Sequence, residues 1–274
     1  MVFHEFYAAR SILAARAHAA HPSHNELRGV QAWEEGGAVV TPSAWTPLIV
    51  NLEGKKVLVV GGGAVGERKA KFFKGATVTV VARAEEFSEG LKKLAAVGSV
   101  RLVPLDIADS ASLAKLDALV RDAFLVVAAT DNAEINAKVE KLAKRHGKLV
   151  NRADRPANVL LPAVLRRNGI LIAVSTQGRS PAAARYLRQL FENVVDEEHA
   201  KMVKLQQELR TWLKSEVKRQ RRRELILWRI LEDEEVWAAL RESYEAGRTL
   251  AFEKCKRLAT HNENAGADES ADDT

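Results

Sequence analysis

Val57-Leu58-Val59-Val60-Gly61-Gly62-Gly63-Ala64-Val65-Gly66 is the stretch that decides the fold. Four apolar, mostly β-branched residues predict a short buried strand. Three glycines make a turn, and the amphipathic run from Glu67 to Lys74 predicts a helix. Gly61, Gly63 and Gly66 match the spacing Gly-x-Gly-x-x-Gly, and they lie between strand and helix, where that spacing has a physical use. The first glycine permits a tight turn, the second lets a pyrophosphate approach the backbone, and the third lets the helix pack close to the strand. The unpaired N–H groups and dipole of the helix then face the anion. Gly61, Gly63, Ala64, Val65 and Gly66 are therefore the expected dinucleotide-binding residues; the alternative is a glycine-rich turn of purely structural use.

The same alternation continues outward. Thr77 to Val81 predicts a second strand, Glu85 to Ala96 a helix, Val100 to Pro104 a third strand and Phe124 to Ala129 another buried strand. Asp131, with Glu134 three residues later, is a capping-box-like start for a helix to about Arg145. Gly147 ends it, and Leu149-Val150 supplies a fifth strand. Strands alternating with helices predict an α/β, Rossmann-like domain over residues 45–150, its parallel sheet covered by helices on both faces. Beyond it, Leu160 to Val164 and Ile170 to Val174 read as a hairpin about Arg166-Arg167-Asn168-Gly169, and Ser180-Pro181 starts a helix through Phe191. Met202, Leu205, Leu209, Leu213 and Val217 recur at helical spacing, so 191–260 is expected to be a small helical domain, with Trp212, Trp228 and Trp237 in its core.

Composition narrows the function classes. With 47% hydrophobic and 28% charged residues, the chain is ordinary globular material. Charges interrupt every apolar run before the roughly 18 to 20 residues that a membrane span needs, so no membrane association is expected. The single cysteine, Cys255, rules out an intramolecular disulfide or thiolate cluster and fits a cytoplasmic protein. Residues 1–44 are an Ala-rich extension bearing His4, His18, His21 and His24, and Pro22 breaks the helical face a metal would need. No metal ligands are expected. Residues 261–274 are polar and acidic, and disorder is expected there.

The net charge of +6 points to an anionic partner, and its placement narrows the class. Between Asn151 and Phe191 stand seven arginines (152, 155, 166, 167, 179, 185 and 188) and one acid, Asp154. That segment suits a polyanionic ligand, unless the arginines are simply solvated. The basic run Lys218 to Arg223 lacks interleaved aromatics and any nucleic-acid motif, so it reads as a helix-end charge cluster and no nucleic-acid partner is expected.

Three further positions bear on chemistry. Where a ribose-binding acid is expected, about 20 residues past the first glycine, the chain reads Ala82-Arg83-Ala84. Arg83 could stack on adenine, meet a 2′-phosphate or be solvated, which leaves NAD and NADP both open. Thr130 and Asp131 follow the fourth strand at the edge where ligands of this architecture bind, and a helix cap explains Asp131 equally well. Asp154 follows the last parallel strand among cations. It reads either as a general base kept ionised by those cations, or as one half of an ion pair with Arg152 or Arg155.

Taken together, several stretches resemble the bifunctional precorrin-2 dehydrogenase and sirohydrochlorin ferrochelatase family, including the corresponding N-terminal half of siroheme synthase. They are Pro47-Leu48 with Leu52, Val57 to Lys69, Ala128-Ala129-Thr130-Asp131, Asn151 with Asp154, Leu161-Pro162-Ala163, Ser175 to Pro181 leading into Ala184-Arg185, and Arg221-Arg222-Arg223 near Trp228. The resemblance covers about 47–240. It implies NAD-dependent oxidation of precorrin-2 to sirohydrochlorin, and in some members insertion of ferrous iron to give siroheme. It implies Asp154 as the catalytic aspartate and an intertwined homodimer built through 151–190. Substrate contacts are then expected at Asn151, Arg152, Arg155, Ser175, Thr176, Arg179 and Ser180, facing the carboxylates of the tetrapyrrole. The first 44 residues have no counterpart in the family, and the loop after Asp154 is shorter. The competing reading from another class is a non-enzymatic, NAD-sensing regulatory module, in which Asp154 would be dispensable.

Overall fold

The computed structural model describes residues 45–107 and 109–260. Every element below lies in the unit Ile49–Thr274. The expectations for the histidines of 1–44 and for the tail 261–274 fall outside the described residues.

The elements run β1 (Lys56–Val60), α1 (Ala64–Phe72), β2 (Thr77–Ala82), α2 (Glu89–Ala96), β3 (Arg101–Pro104), α3 (Leu113–Asp122), β4 (Leu125–Ala128), α4 (Ala133–Arg145) and β5 (Leu149–Arg152). Then come β6 (Ala163–Arg167), β7 (Ile170–Val174), α5 (Pro181–Val194), α6 (Glu197–Glu216), α7 (Gln220–Leu231), α8 (Glu234–Glu242) and α9 (Tyr244–Thr260). The first five strands form one parallel sheet in the order β3-β2-β1-β4-β5. The chain reverses its direction of winding between β1 and β4, and the crevice outside their carboxyl ends is where this architecture binds ligands.

Because β1 is buried on both sides, its alternate residues feed two cores. Val57 and Val59 join Ala70 of α1 and Leu91 of α2 on one face, while Leu58 and Val60 join Leu116 and Val120 of α3 and Val139 and Ala143 of α4 on the other. Helices thus cover both faces, as the alternation required.

Local details differ from the sequence reading for identifiable reasons. The first helix begins at Ala64, inside the fingerprint, and stops at Phe72. The stretch expected as a helix from Glu85 is a 3₁₀ turn over Ala84–Glu86 followed by α2, because Phe87 is buried and the Ser88 side chain caps α2 by accepting from Leu91 N. The α4 cap is Asn132 rather than Asp131: its Oδ1 accepts from the N–H groups of Glu134 and Ile135. The sequence reading did not name α3, whose fully buried residues are only Leu116 and Val120. The hairpin turn narrows to Asn168-Gly169, both with positive φ, so β6 runs on through Arg167 to pair with Ile170.

In the helical region Met202, Leu205, Leu209, Leu213 and Val217 are buried as expected, packed with Ile226, Ile230, Val236 and Leu240. Trp212 and Trp237 pack against this core, but Trp228 is 60% exposed. Ile226 and Ile230 turn inward four residues apart, which leaves residue 228 on the outer face of α7. The basic cluster does sit at helix ends. Arg223 donates to the carbonyls of Val217 and Lys218 after α6, and Arg222 donates to Ala259 O at 2.7 Å. Cys255 is fully buried, and burial pushes its thiol up to about 11.

Candidate active site

The glycine turn has the shape that its spacing predicts. Gly61 has φ +123°, and a Cβ there would collide with Ala129 O; a Cβ on Gly66 would collide with Gly61 O. Both positions are closed to any side chain. Over Gly63 nothing lies within 4 Å of the built Cβ, so the turn is open on the side a pyrophosphate approaches. Gly63 is also the N-cap of α1 and has no side-chain acceptor of its own, leaving the first-turn N–H groups around exposed Ala64 and Val65 for an outside anion. The residues present therefore fit a dinucleotide.

Two other segments border this turn. Segment 83–88 is seated directly on it: a Cβ on Gly62 would stand 2.9 Å from Glu86 O, and Ser88 N donates to Gly62 O at 2.9 Å. Arg83 is not free, since its Nε donates to Glu86 Oε1 at 2.8 Å. On the other side, Thr130 follows the Ala129 carbonyl that presses on Gly61. Its hydroxyl donates to Asn136 Oδ1 at 2.8 Å, and Asn136 Nδ2 returns a bond to Thr130 O at 3.0 Å. Asp131 is exposed.

Asp154 lies at the same edge. The ends of β1, β4 and β5 are aligned, with Val60 opposite Ala128 and Ala128 opposite Arg152, so Gly61 and Ala153 leave the sheet two strand spacings, roughly 10 Å, apart. The loop carrying Asp154 is fastened at its neck. Ala153 N donates to Ala128 O at 2.9 Å, Val159 N to Val150 O at 3.0 Å, and the buried Asn151 Nδ2 to Val159 O at 2.9 Å. Asn151 Oδ1 in turn accepts from Lys69 Nζ of α1 at 3.1 Å. Burial, with Arg68 beside it, holds that ammonium below the ordinary lysine range.

The electrostatics at Asp154 rest on Arg152, whose side chain is 3% exposed against 31% for Asp154. Arg152 Nε donates to Asp154 Oδ1 at 2.9 Å and its Nη2 grips Oδ2, a fork-to-fork pair. Nη1 also donates to Glu140 Oε2 at 2.9 Å and Nη2 to Ala133 O at 3.2 Å. The Arg152 hydrogen bonds, outweighing burial, hold the Asp154 carboxyl below the ordinary carboxylate range. Of the two readings of Asp154, the ion pair with Arg152 is therefore present, and it leaves the carboxylate oriented, ionised and partly open. Arg152 was expected as a counter-charge to substrate. Its Nε, Nη1 and Nη2 all donate within the protein, and two of these bonds hold Asp154.

The loop 175–180 backs onto the Asp154 loop, since a Cβ on Gly178 would stand 3.1 Å from Pro156 Cγ. Thr176 Oγ1 donates to Ser180 O at 2.9 Å and accepts from Ser180 N at 3.0 Å, and Ser180 Oγ caps α5 by accepting from Ala183 N at 3.1 Å. These two residues shape the loop. Ser175 Oγ accepts from Gln177 N at 3.1 Å, and Ser175 and Arg179 are exposed. Arg155 is also exposed and reaches Glu140 Oε2 at 2.6 Å.

Sequence reasoning missed Asn136 and Glu140, which are 1% and 4% exposed. A signal was present: the inward stripe of α4 runs Asn136, Val139, Glu140, Ala143, so two polar residues interrupt an apolar face. Glu140 collects Arg152, Arg155 and, at 2.7 Å, Lys144. Burial pushes its carboxyl up, but the bonds from Lys144 and Arg152 more than offset this and hold it below the ordinary range. Among the described residues there is no cluster of His, Cys, Asp or Glu that could hold a metal ion, and no helix is long and apolar enough to cross a membrane.

Comparison with known proteins adds independent findings. Residues 48–163 match a family model described as "Putative NAD(P)-binding". The chain is 44% identical over 206 residues to a precorrin-2 dehydrogenase from Methanosarcina barkeri, covering 75% of this chain and 91% of that one. It is 30% identical over 214 residues to a siroheme synthase from Nitrosococcus oceani, covering 76% of this chain and 44% of that longer protein. Among solved structures, one titled SirC, precorrin-2 dehydrogenase, shares the fold with a TM-score of 0.58 at 23% identity, covering 78% of this chain and all of that one.

Proposed function

The chain belongs to the precorrin-2 dehydrogenase family, and from that premise we infer that it oxidises precorrin-2 to sirohydrochlorin with NAD, a step of siroheme synthesis. The observation that carries the chemistry is an ionised Asp154, oriented by buried Arg152, on the edge of the sheet that bears the dinucleotide turn. In the oxidation two hydrogens leave the tetrapyrrole, one with its electron pair and one as a proton. Bound NAD supplies the acceptor for the first. Asp154 accepts the second, and Arg152 keeps the carboxylate's outer face toward the substrate. Gly61, Gly63, Ala64, Val65 and Gly66 hold the dinucleotide phosphates, with Arg83, Ala84, Thr130 and Asp131 at the rim.

The substrate carries eight carboxylates. Exposed Arg155 and Arg179 offer counter-charges on the two loops that meet at Pro156, and exposed Ser175 lies on the second of them, while Asn151, Thr176 and Ser180 hold those loops in shape. In this division of labour 45–150 binds the nucleotide, 151–190 completes the site and 191–260 folds around its own helical core. A fully buried Cys255 as the sole cysteine suits a reducing cytoplasm.

Segment 151–190 also supports a homodimer. α5 packs on β6 and β7 with one face, yet Tyr186, Leu187, Leu190, Phe191 and Val194 remain exposed, and among the described residues no further strand pairs with the two-stranded sheet. A second copy covers that apolar patch. Sedimentation should give a dimer for the unmodified chain and a monomer for Leu190→Glu combined with Phe191→Glu. A monomeric unmodified chain would contradict the dimer and leave the oxidation untouched.

The oxidation itself is tested by initial rates of NADH formation from precorrin-2 under nitrogen across pH. A base whose pKa is depressed stays charged until the pH falls through that lowered value. The acid limb should therefore lie below the ordinary aspartate value, with no loss attributable to Asp154 between about pH 5 and 8. An acid limb near pH 6 sinks the proposed state of Asp154, and absence of NADH at every pH sinks the reaction. Ferrous iron added to the anaerobic product, with the absorbance of siroheme as readout, tests metal insertion at the same carboxylate.

A further inference from the structure

The carboxylate missing at position 83, just past β2, is supplied three residues later by Glu86. In Rossmann domains an acid in this region hydrogen-bonds the ribose 2′-hydroxyl of NAD, whereas a free arginine accommodates the 2′-phosphate of NADP. Here Arg83 alone, read from the sequence, would suit the phosphate. In the folded chain Glu86 holds it: Nε donates to Glu86 Oε1 at 2.8 Å, and the second carboxylate oxygen accepts the backbone N–H of Arg83 at 3.2 Å. Glu85 Oε1 stands 3.6 Å from the same Nε, and Asp106, just after β3, adds its negative field. The guanidinium thus meets the carboxylates of Glu86 and Glu85 within the field of Asp106, and this rim is seated on the dinucleotide turn, where a Cβ built on Gly62 would stand 2.8 Å from Ala82 Cβ and 2.9 Å from Glu86 O.

We propose that the Arg83–Glu86 pair sets the choice of dinucleotide, Glu86 standing in for the absent ribose acid and withholding Arg83 from a 2′-phosphate. A phosphomonoester carries close to two negative charges near neutral pH. To bind it, Arg83 would have to leave Glu86 and bring the phosphate beside the carboxylates of Glu85 and Glu86. The ribose hydroxyl of NAD makes no such demand, and Glu86 Oε2, with a single long bond to Arg83 N–H, has acceptor capacity left for it. Both side chains are about half exposed, 52% for Arg83 and 41% for Glu86, so the pair can be altered without disturbing a core.

The inference rests on the dinucleotide reading above, and its test needs no turnover. Dissociation constants for NADH and NADPH are measured by nicotinamide fluorescence on the purified full chain, in the unmodified form, in Glu86→Gln, and in Glu86→Gln combined with Arg83→Ala. The unmodified chain should favour NADH by at least about tenfold. Glu86→Gln should bind NADPH at least about tenfold more tightly than the unmodified chain does, and the added Arg83→Ala should remove that gain. The expected scale is that of a charge-assisted hydrogen bond, worth about a decade in binding. NADH binding with an unchanged NADH-to-NADPH ratio in Glu86→Gln overturns this proposal alone, as does an NADPH gain that survives removal of Arg83. Failure of the unmodified chain to bind either nucleotide overturns this proposal and the dinucleotide reading together.

Discussion

Asp154→Asn should bind NADH as tightly as the unmodified protein and oxidise precorrin-2 slower by about two to four orders of magnitude, the usual contribution of a positioned base. The amide keeps the size of the carboxylate and can still accept one hydrogen bond from Arg152, so the loop fastened at Ala153, Asn151 and Val159 should hold its shape. What is lost is the lone pair that takes the proton. Because that transfer belongs to the transition state, kcat and kcat/KM should fall together, while KM stays near its original value. Single-turnover absorbance changes, compared with NADH titration of the same preparation, check this. A near-normal rate would remove Asp154 from the chemistry.

Glu140→Ala should be the most destabilising single truncation in the site. Glu140 is buried and neutralises Arg152, itself 3% exposed, while also meeting Lys144 and Arg155. Removing one partner of a buried hydrogen-bonded charge network costs about 3 to 5 kcal/mol, because the remaining charge keeps its desolvation penalty and loses its compensation. That is a large share of the roughly 5 to 15 kcal/mol that stabilises an ordinary domain. Urea unfolding at neutral pH should show the loss. The pH dependence has a definite sign: the folded-state pKa of Glu140 is lowered, so its contribution is complete above its unfolded value and is lost as the pH falls through the folded one. The gap between unmodified and Glu140→Ala proteins should therefore narrow below about pH 4. An unchanged unfolding midpoint would mean that Asp154 alone suffices to compensate Arg152.

The sheet was legible in the sequence because its strands are buried on both faces and read as near-continuous β-branched runs, and because the glycines at 61, 63 and 66 stand at the spacing a tight strand-to-helix turn requires. α3 was not legible. Two fully buried residues over ten give little periodicity, and what makes that stretch helical is the uncovered far face of the sheet, a tertiary demand. The choice of Asn132 over Asp131 as cap depends on how the chain leaves β4, where Thr130 bonds across to Asn136. The role of Asp154 could be suspected from its position among arginines. That Arg152 would be buried and committed to it could not, because the partner that permits burial, Glu140, is twelve residues upstream on another element. Arg83 shows the same limit: its meaning changes once Glu86 is folded back onto it.

The most direct test of the proposed oxidation is a closed anaerobic cuvette holding the purified chain, enzymatically made precorrin-2 and an excess of NAD, in which the absorbance of NADH and of sirohydrochlorin are followed together. Catalytic turnover is expected, with one NADH formed for each sirohydrochlorin. Sirohydrochlorin forming without NADH, or no turnover by a preparation that binds NADH, would contradict NAD-dependent oxidation by this chain.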